Sequence, residues 1–153
     1  MSNKISNLKE KFRIALTSTA KVISEDFKLN YKSSDNKKSK DLNLVEVDNI
    51  KNPQDFIRLR AEMDSAALKK KFSNEIVYKK NLPSNSSSRS LYKTAEKIRY
   101  ELLGGGMLKG IKKNLNENYS QIISSTKRDQ LKTKDDAPIA EAFELYMLKN
   151  FHQ

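Results

Sequence analysis

Apolar positions in this chain recur mostly at helical spacing. Between Lys4 and Ile23, the positions Ile5, Leu8, Phe12, Leu16, Thr19 and Ile23 fall three or four residues apart, with Arg13 and Lys21 off that face, which predicts an amphipathic first helix. The period then shortens. Phe27, Leu29 and Tyr31 alternate with Lys28, Asn30 and Lys32, the mark of a half-buried strand. After the polar run Ser33 to Lys40, the residues Leu42, Leu44, Val45 and Val47 predict a second strand, with a phase slip between Leu44 and Val45 that marks a bulge. The two strands form a small β-hairpin that must pack on the helices, because an isolated hairpin is marginal. Asn52 and Pro53 then read as an N-cap and first helical residue, and Phe56, Leu59, Met63, Ala66 and Ala67 carry that helix to about Phe72. Ile76, Val77 and Tyr78 continue as a short helical piece ended by Leu82 and Pro83.

The most regular stretch runs from Ser88 to Tyr119. Leu91, Ala95, Ile98 and Leu102 share one helical face, and Leu108, Ile111 and Leu115 share another. Between them stand Gly104, Gly105 and Gly106, three of the chain's 4 glycines. Each glycine inside a helix costs about 1 kcal/mol against alanine, so the trio predicts a break, set there by a need for positive φ or a close backbone approach. The polar linker Pro83 to Ser90 offers Ser87 or Ser88 as cap of the helix before the glycines. Residues 120–135 are weakly patterned and expected to be a loop, like 33–40. A last helix opens at Asp136, Ala137 and Pro138 and buries Ile139, Ala142, Phe143, Tyr146 and Met147. The expected fold class is mostly α (α+β), five to six helices with a small β-hairpin after the first. At 153 residues, one domain is the natural size.

Charge and composition narrow the function classes. The absence of cysteine excludes disulfides, thiolate metal sites and a cysteine nucleophile, and fits a reducing compartment. The opening residues lack the apolar run of a signal peptide, and no later stretch has the length of a membrane span, so a soluble cytoplasmic protein without membrane contact is expected. A net charge of +11 raises the reading of a basic helical nucleic-acid-binding domain. Against it, only six of the 30 basic residues are arginine, the side chain whose fork suits phosphate and base edges. Nor does any basic cluster carry the interleaved aromatics of a single-strand platform. A solvated lysine coat is the favoured reading, and nucleic acid the alternative.

Catalytic constellations are missing. His152 is the only histidine and the penultimate residue, so nitrogen and sulfur ligands for zinc or cobalt cannot be assembled, and no serine has a base to activate it. Asp135 with Asp136, and Glu62 with Asp64, are carboxylate pairs that point apart on a helix and read as capping and solvated residues. Gly104 to Gly106 precede Lys109, Lys112 and Lys113 and could cradle an anion at a helix start, but no strand or P-loop motif accompanies them. A tight corner between two helices is the better reading. Glu96, Arg99 and Glu101 stand among apolar positions, and Glu96 to Arg99 has the spacing of a helical ion pair. That pair is either a surface ornament, a partly buried clamp against the glycine corner, or a partner-docking feature.

The order of these motifs resembles the N-terminal region of the CobT subunit of aerobic, ATP-dependent cobaltochelatase, which inserts cobalt into hydrogenobyrinic acid a,c-diamide in cobalamin biosynthesis. Phe12 and Arg13 with the segment FKLNY are similar to the family's FR...A and E-L-x-V-x-F. Asp64, Ser65, Ala67 and Leu68 match R-G-x-A-D-x-x-A-L, and Pro83 falls at the family's proline. Glu96, Arg99, Glu101, Leu103, Gly104, Gly110, Asn114 and Leu115 match E-x-A-R-x-E-A-L-G and G-V-x-x-N-L, and Asp136, Ala137 and Pro138 match D-A-P-L. The chain departs at Phe72, Ser73 and Tyr78, where the family carries histidines, and at Gly106 and Met107, where it carries arginines. The resemblance implies a non-catalytic domain of a ligase complex, without its own catalytic, metal or cofactor site. Its partners would be a CobS-like AAA+ ATPase and a CobN-like large subunit, with ATP, magnesium and cobalt handled by the complex. Family members continue into a C-terminal von Willebrand A domain, which is expected to be absent here. Glu96, Arg99, Glu101, Gly104, Gly110 and Asp64 are the expected structural or docking residues.

Overall fold

The computed structural model describes residues 2–29, 47, 50–125 and 139–152. Among them are six helices: α1 (Ser2–Ser24), α2 (Pro53–Phe72), α3 (Glu75–Lys80), α4 (Ser86–Met107), α5 (Lys109–Ser125) and α6 (Ile139–Phe151). No described helix is long and apolar enough to cross a membrane. Contacts divide the chain into two compact units, Met1–Lys71 and Phe72–Gln153.

In the first unit, α1 ends in a Schellman motif. Asp26 N–H donates to the Lys21 carbonyl at 3.2 Å and Glu25 N–H to that of Val22 at 3.3 Å. Glu25 takes φ 55°, the left-handed position that glycine usually fills. The turn continues at Asp26, whose carboxylate accepts from Lys28 N–H at 3.0 Å and whose carbonyl accepts from Leu29 N–H at 3.3 Å. These bonds replace the first predicted strand. Alternation would put Phe27 and Leu29 on one face, yet Phe27 is exposed and Leu29 buried. No strand occurs among the described residues, so the β-hairpin is not supported; residues 30–46 of it lie outside them. Lys70 and Lys71 close on Asp26 and Glu25 at 2.5 and 2.7 Å, and the Lys70 ammonium holds the Asp26 carboxyl below its ordinary range.

α2 starts where the sequence places it. Asn52 Oδ1 accepts from Asp55 N–H at 2.8 Å, and the Asp55 carboxylate reaches back to Asn52 N–H at 3.3 Å, a reciprocal capping box with Pro53 at the first helical position. Its buried face includes Leu59, Met63, Ala67 and Leu68, together with Asp64 and Ser65. Phe56 is part exposed but stacks on half-buried Phe12 of α1, ring centroids 4.0 Å apart.

The second unit is built on α4, against which both α5 and α6 pack. Asn74 and Asn85 cap α3 and α4: Asn85 Oδ1 accepts from Ser87 and Ser88 N–H at 2.8 and 3.2 Å, so the expected caps are the capped residues. Gly104, Gly105 and Gly106 do not break the helix. All three are helical, no glycine takes positive φ, and the break comes at extended Leu108, whose N–H still donates to the Gly104 carbonyl at 2.9 Å. The nearest neighbour is at Gly105, where an added Cβ would meet Lys112 Cβ of α5 at 3.4 Å, the edge of ordinary van der Waals contact. At Gly106 it would meet nothing within 4 Å. Gly106→Ala is therefore expected to raise stability by about 0.5–1 kcal/mol, since it only removes backbone freedom from the unfolded chain. A lower midpoint in urea for that variant would contradict the helical assignment.

α5 extends through Ser125, so residues 120–125 of the expected loop are helical, while 126–138, including Asp136 to Pro138, lie outside the described residues. In α6 the buried face is not the predicted one. Ile139 and Tyr146 are 76% and 63% exposed, Phe143 and Met147 half-buried, and Leu148 is the position that is fully covered. Several apolar residues per turn leave the helical face undetermined by periodicity, and packing on α4 selects the one that ends in Leu148 and His152.

Candidate functional site

α4 carries two polar clusters. The first is the Glu96–Arg99 pair. Arg99 Nε donates to Glu96 Oε2 at 2.7 Å, and Nη2 donates to Glu96 Oε1 at 2.8 Å and to the Phe72 carbonyl at 2.7 Å. Ser73 Oγ adds a bond to Glu96 Oε1 at 2.6 Å. A carbonyl in the last turn of a helix lacks an internal donor, and Arg99 supplies one. The pair is thus a clamp between α4 and the Phe72–Ser73 segment. The Glu96 carboxylate pushes the Arg99 guanidinium above its already high value.

The second cluster is internal. Glu101 is 0% exposed, and its carboxylate accepts from the Tyr119 hydroxyl at 2.9 Å through Oε1 and 2.7 Å through Oε2. His152 is 3% exposed and sets Nε2 3.3 Å from Glu101 Oε2, close enough for an ion pair when the imidazole is protonated, though Nε2 makes no hydrogen bond. The His152 ring also lies 4.8 Å from that of Tyr119, and Lys97 Nζ stands 5.3 Å from the centroid of the same Tyr119 ring. One side chain from α4, one from α5 and one just past α6 therefore meet in a single polar knot. A buried carboxylate is tolerable only when such partners satisfy it.

Burial pushes the Tyr119 phenol far above its ordinary range, and the Glu101 charge adds to the shift. The folded-state value lies above the unfolded one of about 10, so this group's contribution to stability is complete below that pH and declines as pH rises above it, where the unfolded chain alone releases the proton. In an alkaline titration followed by tyrosinate absorbance, one of the 6 tyrosines is expected to ionise only with unfolding, and Tyr119→Phe to remove that late step. Ionisation of every tyrosine in the folded protein would contradict this.

Beside the knot a recess of about 140 Å³ opens, lined by Glu101, Leu102, Gly105, Gly106, Lys112, Leu115, Phe151 and His152. Leu102 of that lining is exposed, and so are Leu103, Met107 and Leu108 along the same stretch of chain. Of the residues singled out in the sequence, Glu101 is at the centre, Gly104 is buried in the last turn of α4, and Gly110 is exposed with open space beyond its Cα. Glu96 and Arg99 form the separate clamp. Asp64 belongs to the first unit, where it is 3% exposed, against the solvated reading of the Glu62–Asp64 pair. Sequence reasoning gave no place in this cluster to Tyr119, Phe151 or His152, and named Lys112 only for the disfavoured anion cradle. Two were findable: Tyr119 extends the Ile111, Leu115 spacing by four, and His152 lies four beyond Leu148.

No group of three or more histidine, cysteine, aspartate or glutamate residues gathers among the described residues in a way that could hold a metal ion. A model of the family described as cobalamin biosynthesis protein CobT matches residues 6–150. No curated protein and no solved structure gives a match.

Proposed function

The chain belongs to the CobT family, with a role in cobalamin biosynthesis, and from that premise we propose that it is a non-catalytic domain of a cobaltochelatase complex, acting in assembly. In this reading it docks a CobS-like AAA+ ATPase subunit or a CobN-like large subunit. Binding of ATP and magnesium, and insertion of cobalt into hydrogenobyrinic acid a,c-diamide, take place on the other chains, in the cytoplasm.

The observation that supports docking is the division of labour along α4 and the start of α5. Glu101 faces inward and is occupied with Tyr119 and His152, while Leu102, Leu103, Met107 and Leu108 stay 38%, 45%, 60% and 47% exposed. Four large apolar side chains exposed within seven residues of chain are the observation that supports an interaction surface here. Solitary exposed leucines would mean nothing.

Pull-down with the CobS-like and CobN-like subunits tests the reading. Wild type is expected to retain at least one of them, and Leu103→Asp with Met107→Asp to lose it while keeping the wild-type circular dichroism. Failure of the folded wild type to retain either subunit overturns docking. Stoichiometric Co²⁺ uptake by calorimetry overturns the non-catalytic part.

A further inference from the structure

We infer that the α4–α5 corner receives a partner segment with acidic flanks and one aromatic ring, the ring entering the recess and the carboxylates meeting Lys109 and Lys112. The inference rests on the docking reading and specifies its site and chemistry.

Size comes first. The recess holds about 140 Å³, close to the roughly 150 Å³ of an engineered cavity that takes up benzene. A single phenyl ring fits it. Gly105 and Gly106 put no side chain at its edge, and the space beyond Gly106 is open to 4 Å.

The lining selects a ring over an aliphatic chain. Leu102, Leu115 and Phe151 are apolar, and Phe151 offers an aromatic neighbour for stacking. Glu101 and His152 make the remainder polar, with His152 Nε2 buried and lacking a hydrogen bond. A ring stacked on Phe151 gains more than the apolar area it covers, whereas an aliphatic group gains that area alone.

Charge selects the flanks. The first turn of α5 contains no acid, and the ammonium groups of Lys109 and Lys112 pair with no carboxylate among the described residues. Lys113 faces Glu117 at 3.8 Å and is partly compensated. Lys109 also opens α5, where the helix dipole already favours anions. Carboxylates on either side of the anchoring ring would meet both lysines. Phosphates of a nucleic acid would meet the same charges but would leave the four apolar side chains and the recess unused.

The test uses the full chain and two fluorescein-labelled peptides of glutamate and serine, one with a central phenylalanine and one with alanine in its place. The phenylalanine peptide is expected to bind about tenfold more tightly, as an anchor in a pocket does. Lys109→Glu with Lys112→Glu is expected to weaken it about tenfold, and Lys79→Glu with Lys80→Glu, the same charge change on α3, to have little effect. Equal binding of the two peptides overturns the inference, as does equal weakening by the two double variants. Tighter binding of a single-stranded oligonucleotide, with a steep salt dependence, also overturns it. Pull-down by the same variants separates the two levels. If wild type and Lys109→Glu/Lys112→Glu both retain the ATPase subunit, docking stands and this site for it falls. If the folded wild type retains neither subunit, docking itself falls.

Discussion

Replacing Glu101 by alanine is expected to remove about 3–5 kcal/mol of stability from the unit Phe72–Gln153, the larger part of what a small domain has to lose. Two costs add. The Tyr119 hydroxyl, bonded to both carboxylate oxygens, becomes a buried donor without an acceptor, worth about 1–3 kcal/mol. The deleted atoms also leave a void in a fully covered site beside the existing recess, and neighbours in a packed interior relax only partly into such voids. Tyr119→Phe takes that donor from a fully buried carboxylate, so it should destabilise as well, and the double variant, which leaves neither group unpaired, should cost less than the sum of the singles. Urea unfolding of the four proteins measures this. A Glu101→Ala cost below about 1 kcal/mol, or strict additivity with Tyr119→Phe, would sink the view of Glu101 as the polar centre of three elements.

The same residue shows where sequence was informative. Glu101 sits among apolar positions of a strongly periodic helix, and that misplacement of a charge is itself a signal of burial with partners. Asn52, Pro53 and Asp55 fix the start of α2 because cap, first turn and capping box are local chemistry, complete within four residues. The glycine trio misleads because propensity is also local. About 1 kcal/mol per glycine is outweighed by the packing of α4 against α5 and α6, which holds the glycines in the helix. Alternation at Phe27 to Tyr31 misleads similarly, since three apolar residues at period two cannot compete with a turn bonded by Asp26. His152 was legible only through its register with Leu148; as a lone terminal histidine it carries no motif. The recess and the exposed corner, which require α4, α5 and α6 together, have no counterpart in any single stretch.

Leu148→Ala is the other large effect, expected at about 2–5 kcal/mol and confined at first to α6. That helix has one fully buried residue, Leu148 at 1% exposure, and one buried polar follower, His152. Ile139, Tyr146 and Phe151 are exposed and Phe143 and Met147 only half-buried, so the rest of α6 offers little to replace a lost anchor. The His152 N–H donates to the Leu148 carbonyl at 3.0 Å, which ties the two anchors into one turn. Loosening that turn frees the imidazole from Glu101 and withdraws Phe151 and His152 from the recess. Amide exchange should therefore accelerate in α6 well before α4 and α5, because segments with few buried contacts open at lower free energy than the core. Binding of the phenylalanine peptide should fall together with α6 protection, although Leu148 does not line the recess. Uniform acceleration across α4, α5 and α6 would show instead that the three helices open as one unit, and that the recess has no independently mobile wall.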